Sequence, residues 1–150
     1  MEPPMKIVLF ACTHNAGRSQ MAAAWLNRLA DPAKVRATSA GTSPATDVHP
    51  EVVEVMREVD IDLSTAKPTR LTGELAESSS LLVTMGCREH CPVVPGLQRE
   101  DWPLEDPKGR PIAQVRAIRD AIRDRVSGLI ARNRWGREGG FRRTTRSPTS

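Results

Sequence analysis

The chain has 150 residues, one-domain length with ample material for a single core, and no apolar segment long enough to span a membrane. Its three cysteines, an odd number, exclude a disulfide framework. The formal charge of +4 is uneven: from Gly136 to Ser150, four arginines (Arg137, Arg142, Arg143, Arg146) and one acid (Glu138) carry +3, leaving +1 to the other 135 residues.

That Gly/Arg/Ser/Thr stretch reads as a solvated, disordered tail, because no aromatic-interleaved basic pattern points to nucleic acid. The expected domain is residues 1–135, with 136–150 as the basic tail. No secretory leader is recognised, so a reducing cytoplasm is the expected compartment. There, cysteines serve chemistry or metal binding more often than structure.

The first predicted element is the apolar run Lys6-Ile-Val-Leu-Phe-Ala11, a buried strand. Directly behind it stands Cys12-Thr-His-Asn-Ala-Gly-Arg-Ser19, and then a helix over Met21–Leu29. The loop thus falls where a strand's carboxyl end meets a helix's amino end. Such a junction presents unpaired N–H groups and the positive end of a helix dipole, and a loop of small residues can curl so that further amides face an anion. Thr13, His14, Asn15, Ala16, Gly17 and Arg18 are the expected oxyanion-binding residues. Gly17 relieves the steric limits on the curl, and Asn15 belongs to a residue type that tolerates left-handed backbone. Arg18 can grip two oxygens of a tetrahedral anion at once. The field that holds an oxyanion also stabilises a thiolate, which makes Cys12 the expected nucleophile, with the Ser19 hydroxyl as a donor to its sulfur.

Further along, Lys34–Gly41 reads as a second strand and Thr42–Val48 as a loop. Pro50 opens a helix through Val59 with Val52, Val53, Val55, Met56 and Val59 on its apolar side, and Leu71–Glu77 is a short helix. Ser80–Met85 is a third buried strand and Leu97–Trp102 a weaker fourth. In the final helix Ile112, Val115, Ile118, Ile122, Val126 and Leu129 recur every three or four residues. Alternating elements of this kind predict a four-stranded parallel sheet with helices on both faces and right-handed crossovers, a single-domain three-layer α/β/α fold. Ligands of such sheets bind at the strands' carboxyl ends.

Two more loops should reach that end. Gly86-Cys87-Arg-Glu-His-Cys91-Pro92 follows the third strand, and Asp101-Trp-Pro-Leu-Glu-Asp106-Pro107 follows the fourth. An oxygen expelled by thiolate attack needs a proton, and Asp106, Asp101 or Glu105 could supply it. Cys87 and Cys91 bear on the reaction type. A phosphatase needs one thiol, because water completes its cycle, whereas a reductase needs thiols in pairs.

The Cys-x5-Arg-Ser pattern behind the first strand resembles that of the low-molecular-weight tyrosine phosphatase superfamily. The longer run from Cys12 through Gln20, Met21 and Ala22 is more similar to the arsenate reductases built on that flavodoxin-like fold. The resemblance covers Met5 to about Trp135, and Ser39-Ala-Gly41 is a further match. It implies that Asp106, followed by Pro107, is the general acid. It also implies that Cys12 attacks arsenate, that Cys87 attacks Cys12 as arsenite leaves, and that Cys91 takes over the disulfide. An external thiol would then reduce the protein: thioredoxin, or mycothiol or glutathione with a glutaredoxin-like partner. The Cys87-x3-Cys91 spacing is shorter than in the reductases that use this relay. Ala23 stands where some members carry an acid that contributes to a monovalent-cation site, so no bound metal or cofactor is expected. Tyrosines beside the acid help wall an aromatic substrate in the phosphatases, whereas this chain has no tyrosine, and Trp102 is the one ring expected to be available for stacking.

The expected function is arsenate reduction by a monomer. Two alternatives stay open: a phosphatase of the same superfamily, and a carrier or sensor holding arsenite or a soft metal at Cys87, His90 and Cys91. His14 lines the cradle and either donates its N–H alone or tunes the thiolate with pH. His49 and His90 read as solvated loop residues, Trp25 and Trp135 as packing.

Overall fold

A computed structural model of the chain describes residues 5–86 and 94–137. Cys87, His90, Cys91 and residues 138–150 of the expected tail lie outside the described residues. Strand β1 (Lys6–Cys12) continues into the cradle residue itself, and helix α1 (Arg18–Leu29) starts three residues earlier than its apolar pattern suggests. Arg18 and Ser19 therefore belong to the first turn of the helix. Strand β2 is Val35–Gly41, helix α2 Pro50–Arg57, helix α3 Gly73–Glu77, strand β3 Leu81–Thr84, strand β4 Gln98–Asp101 and helix α4 Ile112–Asn133. The last helix runs one turn past Leu129 and ends at Arg134 in left-handed backbone, φ 58°.

The sheet is four-stranded and parallel, in the order β2-β1-β3-β4. Because β1 is central, its side chains are buried on both faces. Val8, Phe10 and Cys12 point to one side, among residues of α1, α2 and α4, while Leu9 and Ala11 point to the other, with Ala76, Leu71 and Leu75 at and around α3. This alternation makes the three layers. Burying each large apolar side chain of this kind contributes about 1.5–3 kcal/mol. The predicted face of α4 is in that core: Val115, Ile118, Ile122, Val126 and Leu129 are all buried. Beyond α4, the Trp135 carbonyl accepts from the Asp31 N–H at 2.8 Å, and Gly136 bridges Ala30 in antiparallel fashion. Cys12 pairs in register with Gly41, and Ala11 with Thr84, so the carboxyl ends of β1, β2 and β3 lie side by side.

Candidate active site

The cradle's shape follows from where its carbonyls go. Those of Cys12, Thr13, His14 and Ala16 accept from the N–H groups of Thr42, Ser43, Ala45 and His49 at 2.8–3.2 Å. The stretch between β2 and α2 is thus the outer wall of the cradle. In a trans peptide the N–H points opposite to the C=O, so these outward carbonyls turn the amides of Thr13, His14, Asn15 and Gly17 inward. The Asn15 N–H meets the Cys12 sulfur at 3.3 Å. Gly41 permits the close stacking of wall and cradle, since a Cβ there would stand 2.7 Å from the Thr13 carbonyl oxygen and 2.9 Å from the Asn15 nitrogen.

Cys12 is 2% exposed, with its sulfur 2.8 Å from Ser19 Oγ. Asn15 holds the Ser19 hydroxyl beside the sulfur. It is fully buried in left-handed backbone, φ 52°, and its Oδ1 accepts from the Thr69 N–H at 2.8 Å and from Gln20 Nε2 at 3.2 Å. The amide nitrogen therefore faces Ser19 and donates to its Oγ at 2.7 Å. That bond takes one of the two Ser19 lone pairs and leaves the hydroxyl hydrogen available to a Cys12 thiolate, which can only accept. The sulfur thus has the Ser19 hydroxyl and the Asn15 N–H within hydrogen-bond reach.

Arg18 lies at the rim. Its Nη1 donates to the Leu104 carbonyl at 3.0 Å and its Nη2 stands 3.8 Å from Asp106 Oδ2. Gly86, φ 104°, closes the other side: a Cβ there would run into the guanidinium, and its carbonyl accepts from the Thr13 hydroxyl at 3.4 Å. Of the three candidate acids, Asp106 is the one paired with Arg18; Asp101, paired with Arg99 at 3.8 Å, lines the cleft beside Arg18, and Glu105 pairs with Arg110 at 3.3 Å. Pro107 packs against Gly17, where a Cβ would approach the ring to 2.8 Å. Gly17, at φ −144° and ψ −92°, also lets the acid loop come close, a demand for glycine beyond the curl itself.

His49 is not a solvated loop residue. It caps α2 beside Gly17, and burial lowers its pKa below the usual histidine value, with Lys108 and His14 adding to the fall and Glu51 and Asp106 opposing it. Trp102 also departs from expectation: at 3% exposed, it lies 5.6 Å from Phe10 at a 54° tilt, with its Nε1 donating to Glu100. Buried in this way, the indole offers no face for an aromatic ester. Beside Arg18 lies a cleft of about 350 Å³ bounded by Thr84, Gly86, Asp101, Trp102 and Leu104. Among the described residues no group of three or more histidine, cysteine or acidic side chains is arranged to hold a metal ion, and no helix is long and apolar enough to cross a membrane.

Gln20, Thr69, Leu104 and Gly86 complete the site and were missed by sequence reasoning. Gln20 directly follows Ser19 and Gly86 directly precedes Cys87, so adjacency was a usable signal for those two. Thr69 and Leu104 contribute only backbone groups, which no side-chain pattern reveals.

A loop of this geometry can hold a tetrahedral oxyanion and present it to a thiol, which defines a protein of the Cys-x5-Arg cradle class on a parallel α/β sheet. Within that class the chain belongs to the family described as low molecular weight phosphotyrosine protein phosphatase, whose model matches residues 7–138. A protein of Halobacterium salinarum is 41% identical over 127 residues, covering 81% of this chain and 88% of its own. The arsenate reductase of Staphylococcus aureus is 33% identical over 132 residues, 85% of this chain and 98% of that protein. The solved structure of a Corynebacterium glutamicum thioredoxin-dependent arsenate reductase superposes with a TM-score of 0.73 at 38% identity, over 86% of this chain. The chain spans 62% of the length of that structure.

Proposed function

We propose that the chain is an arsenate reductase in which Cys12 is the nucleophile, Asp106 the general acid, and Cys87 and Cys91 the thiols that carry electrons outward. The observation that favours reduction over ester hydrolysis is at Gly86. This residue touches the Arg18 guanidinium and accepts from Thr13, and its covalent neighbour is Cys87. The chain thus carries its second cysteine one residue beyond a residue of the cradle rim. Burial of Trp102 favours the same reading, since it leaves a small free oxyanion as the better substrate.

In the proposed reaction the Cys12 thiolate attacks arsenic, and the departing oxygen takes a proton from Asp106. Arg18, Thr13, His14, Asn15, Ala16 and Gly17 hold the remaining oxygens, and Ser19 stabilises Cys12 both as nucleophile and as leaving group. The Cys87 thiolate then attacks the Cys12 sulfur. The sulfur–arsenic bond breaks, its electron pair stays on arsenic, and arsenite departs. Cys91 displaces Cys12 from Cys87, and an external dithiol reduces the Cys87–Cys91 disulfide. Thioredoxin fits this last step; mycothiol or glutathione with a glutaredoxin-like protein would make Cys91 dispensable. The activity is assigned to residues 1–135 of a cytoplasmic monomer. Slow hydrolysis of phosphate esters is expected, because cradle and acid suit both reactions.

The test is NADPH consumption with arsenate, coupled either to thioredoxin and its reductase or to a small-thiol system, for wild type, Cys87→Ser and Cys91→Ser. Loss of turnover in both variants supports the three-thiol relay. Turnover that survives Cys91→Ser with a small thiol moves the last step off the protein. If arsenate gives nothing while an aryl phosphate is hydrolysed with Cys12 required and Cys87 not, the chain is a phosphatase.

A further inference from the structure

In the segment carrying Asp106, Pro107 is the buried residue. Asp106 is 44% exposed by side chain, and Glu105, Lys108, Gly109 and Arg110 are exposed. Most of its polar contacts are internal: Asp106 Oδ1 accepts from the Lys108 N–H at 3.0 Å, Arg110 N–H donates to the Pro107 carbonyl at 3.1 Å, and Glu105 pairs with Arg110. Such bonds shape a turn without fixing it over anything. Besides the Arg18 contacts to Asp106 and to the Leu104 carbonyl, two contacts fix it to the cradle side of the molecule. One is Pro107 against Gly17. The other is a bond from the Gly109 N–H to Glu51 Oε2, 3.0 Å long and 58 residues apart in sequence. Gly109 has φ 72°, a conformation that favours glycine and aims its N–H at α2.

Glu51 stands in the first turn of α2, the helix whose capping residue, His49, donates its N–H to the Ala16 carbonyl of the cradle at 3.0 Å. The contacts therefore close a circuit from cradle to helix end to acid loop and back through Pro107. Burial pushes the Glu51 carboxyl up, but hydrogen bonds from its own N–H and that of Gly109, with His49 nearby, outweigh it and hold the group below the usual carboxylate range. At neutral pH the clamp is an anion accepting from an amide, the stronger kind of hydrogen bond.

We propose that Glu51 is a positioning residue for the reaction, holding the Asp106–Gly109 turn over the cradle so that Asp106 meets the departing oxygen. The proposal rests on the reading of Asp106 as general acid, and Glu51 acts only through it. Misplacing a general acid by a fraction of an ångström erodes its contribution while leaving the nucleophile untouched. The test is a double-mutant cycle on kcat/KM for arsenate with wild type, Glu51→Ala, Glu51→Gln, Asp106→Asn and Glu51→Ala/Asp106→Asn. Alkylation of Cys12 by iodoacetamide reports the cradle independently of turnover.

General acids contribute about 100-fold or more, so Asp106→Asn should lose roughly that and Glu51→Ala about tenfold. The double variant should be no slower than Asp106→Asn, because the clamp has nothing left to position. Glu51→Gln keeps an acceptor for Gly109 and should stay within about threefold of wild type, and Cys12 alkylation should be the same in every Glu51 variant. A tenfold loss that persists in the Asp106→Asn background, alkylation that slows in step with turnover, or Glu51→Ala equal to wild type would each overturn the proposal. The same cycle is run on p-nitrophenyl phosphate. Absence of arsenate turnover alone then removes the reductase reading and leaves the ester to decide the clamp.

Discussion

Asn15 combines a left-handed backbone with a buried side chain that serves Thr69, Gln20 and Ser19 at once. Asn15→Ala would leave the Thr69 N–H without its partner and free the Ser19 hydroxyl to rotate. A loss of about 1–3 kcal/mol is expected in denaturant unfolding, together with slower alkylation of Cys12 at neutral pH. Asn15→Asp separates the two effects. The acceptor for Thr69 survives, while the atom facing Ser19 becomes an acceptor and competes with sulfur for the hydroxyl hydrogen, so the effect on Cys12 can be read with the Thr69 bond kept. Alkylation by iodoacetamide should then slow by about tenfold, the scale of one charge-assisted hydrogen bond of ~1.5 kcal/mol or so. Equal alkylation rates in Asn15→Asp and wild type would contradict the assigned hydrogen-bond direction. The residue type at this position was legible from its tolerance of positive φ. Its partners were not, because Thr69 is 54 residues away and contributes only an amide.

At the ends of the strands, two glycines play different parts. Gly41 ends β2 against backbone, with a Cβ meeting the Thr13 oxygen and the Asn15 nitrogen, and neither can move without opening the cradle. Gly86 follows β3 in left-handed backbone and faces the tip of Arg18, the far end of a flexible side chain that can shift only by giving up its bond to Leu104. Gly41→Ala should therefore destabilise the fold by about 1–3 kcal/mol and cripple turnover, as overpacking against fixed atoms does. Gly86→Ala should cost about 1–2 kcal/mol from its backbone conformation. Its larger effect should be on anions: displacing Arg18 from the Leu104 carbonyl weakens inhibition by inorganic phosphate, read as a Ki raised about tenfold. A Gly86→Ala protein with unchanged phosphate inhibition would show that the guanidinium does not depend on this contact. In the sequence, Gly41 was visible as a strand terminator and as part of the Ser39-Ala-Gly41 match. Gly86 was visible only as the residue before Cys87, since its demand comes from Arg18 across the site.

Over the whole molecule, α2 is held at both ends, by His49 and Glu51 at the cradle and by Glu58 at the far end. Glu58 takes hydrogen bonds from Arg116 at 2.8–3.1 Å and from Arg119 at 2.9 Å, joining α2 to α4. The Arg116 bonds first, then those of Arg119, outweigh desolvation and hold the Glu58 carboxyl down to about 2. A carboxyl depressed in the folded state stabilises it above the ordinary value near 4.5 and loses that contribution as pH falls toward the folded one. Wild type should thus have the higher Tm at pH 6, and its advantage over Glu58→Gln should shrink steadily between pH 4.5 and pH 2. A gap that stays constant across that window would mean the pairing is not what links the helices.

The sequence by itself determined the strand, loop and helix around Cys12, the alternation that makes a parallel sheet, and the apolar face of α4, because each depends on neighbours within a few residues. It also determined that Asp106 precedes Pro107 and that three acids compete for one role. Tertiary structure alone decided which acid meets Arg18, that Trp102 is buried against Phe10, and that the stretch from Thr42 to His49 forms the cradle's wall. The physical reason is common to all three. Hydrophobic periodicity records which face of an element is buried, whereas hydrogen bonds to distant backbone groups and contacts permitted by a missing Cβ leave no period in the chain.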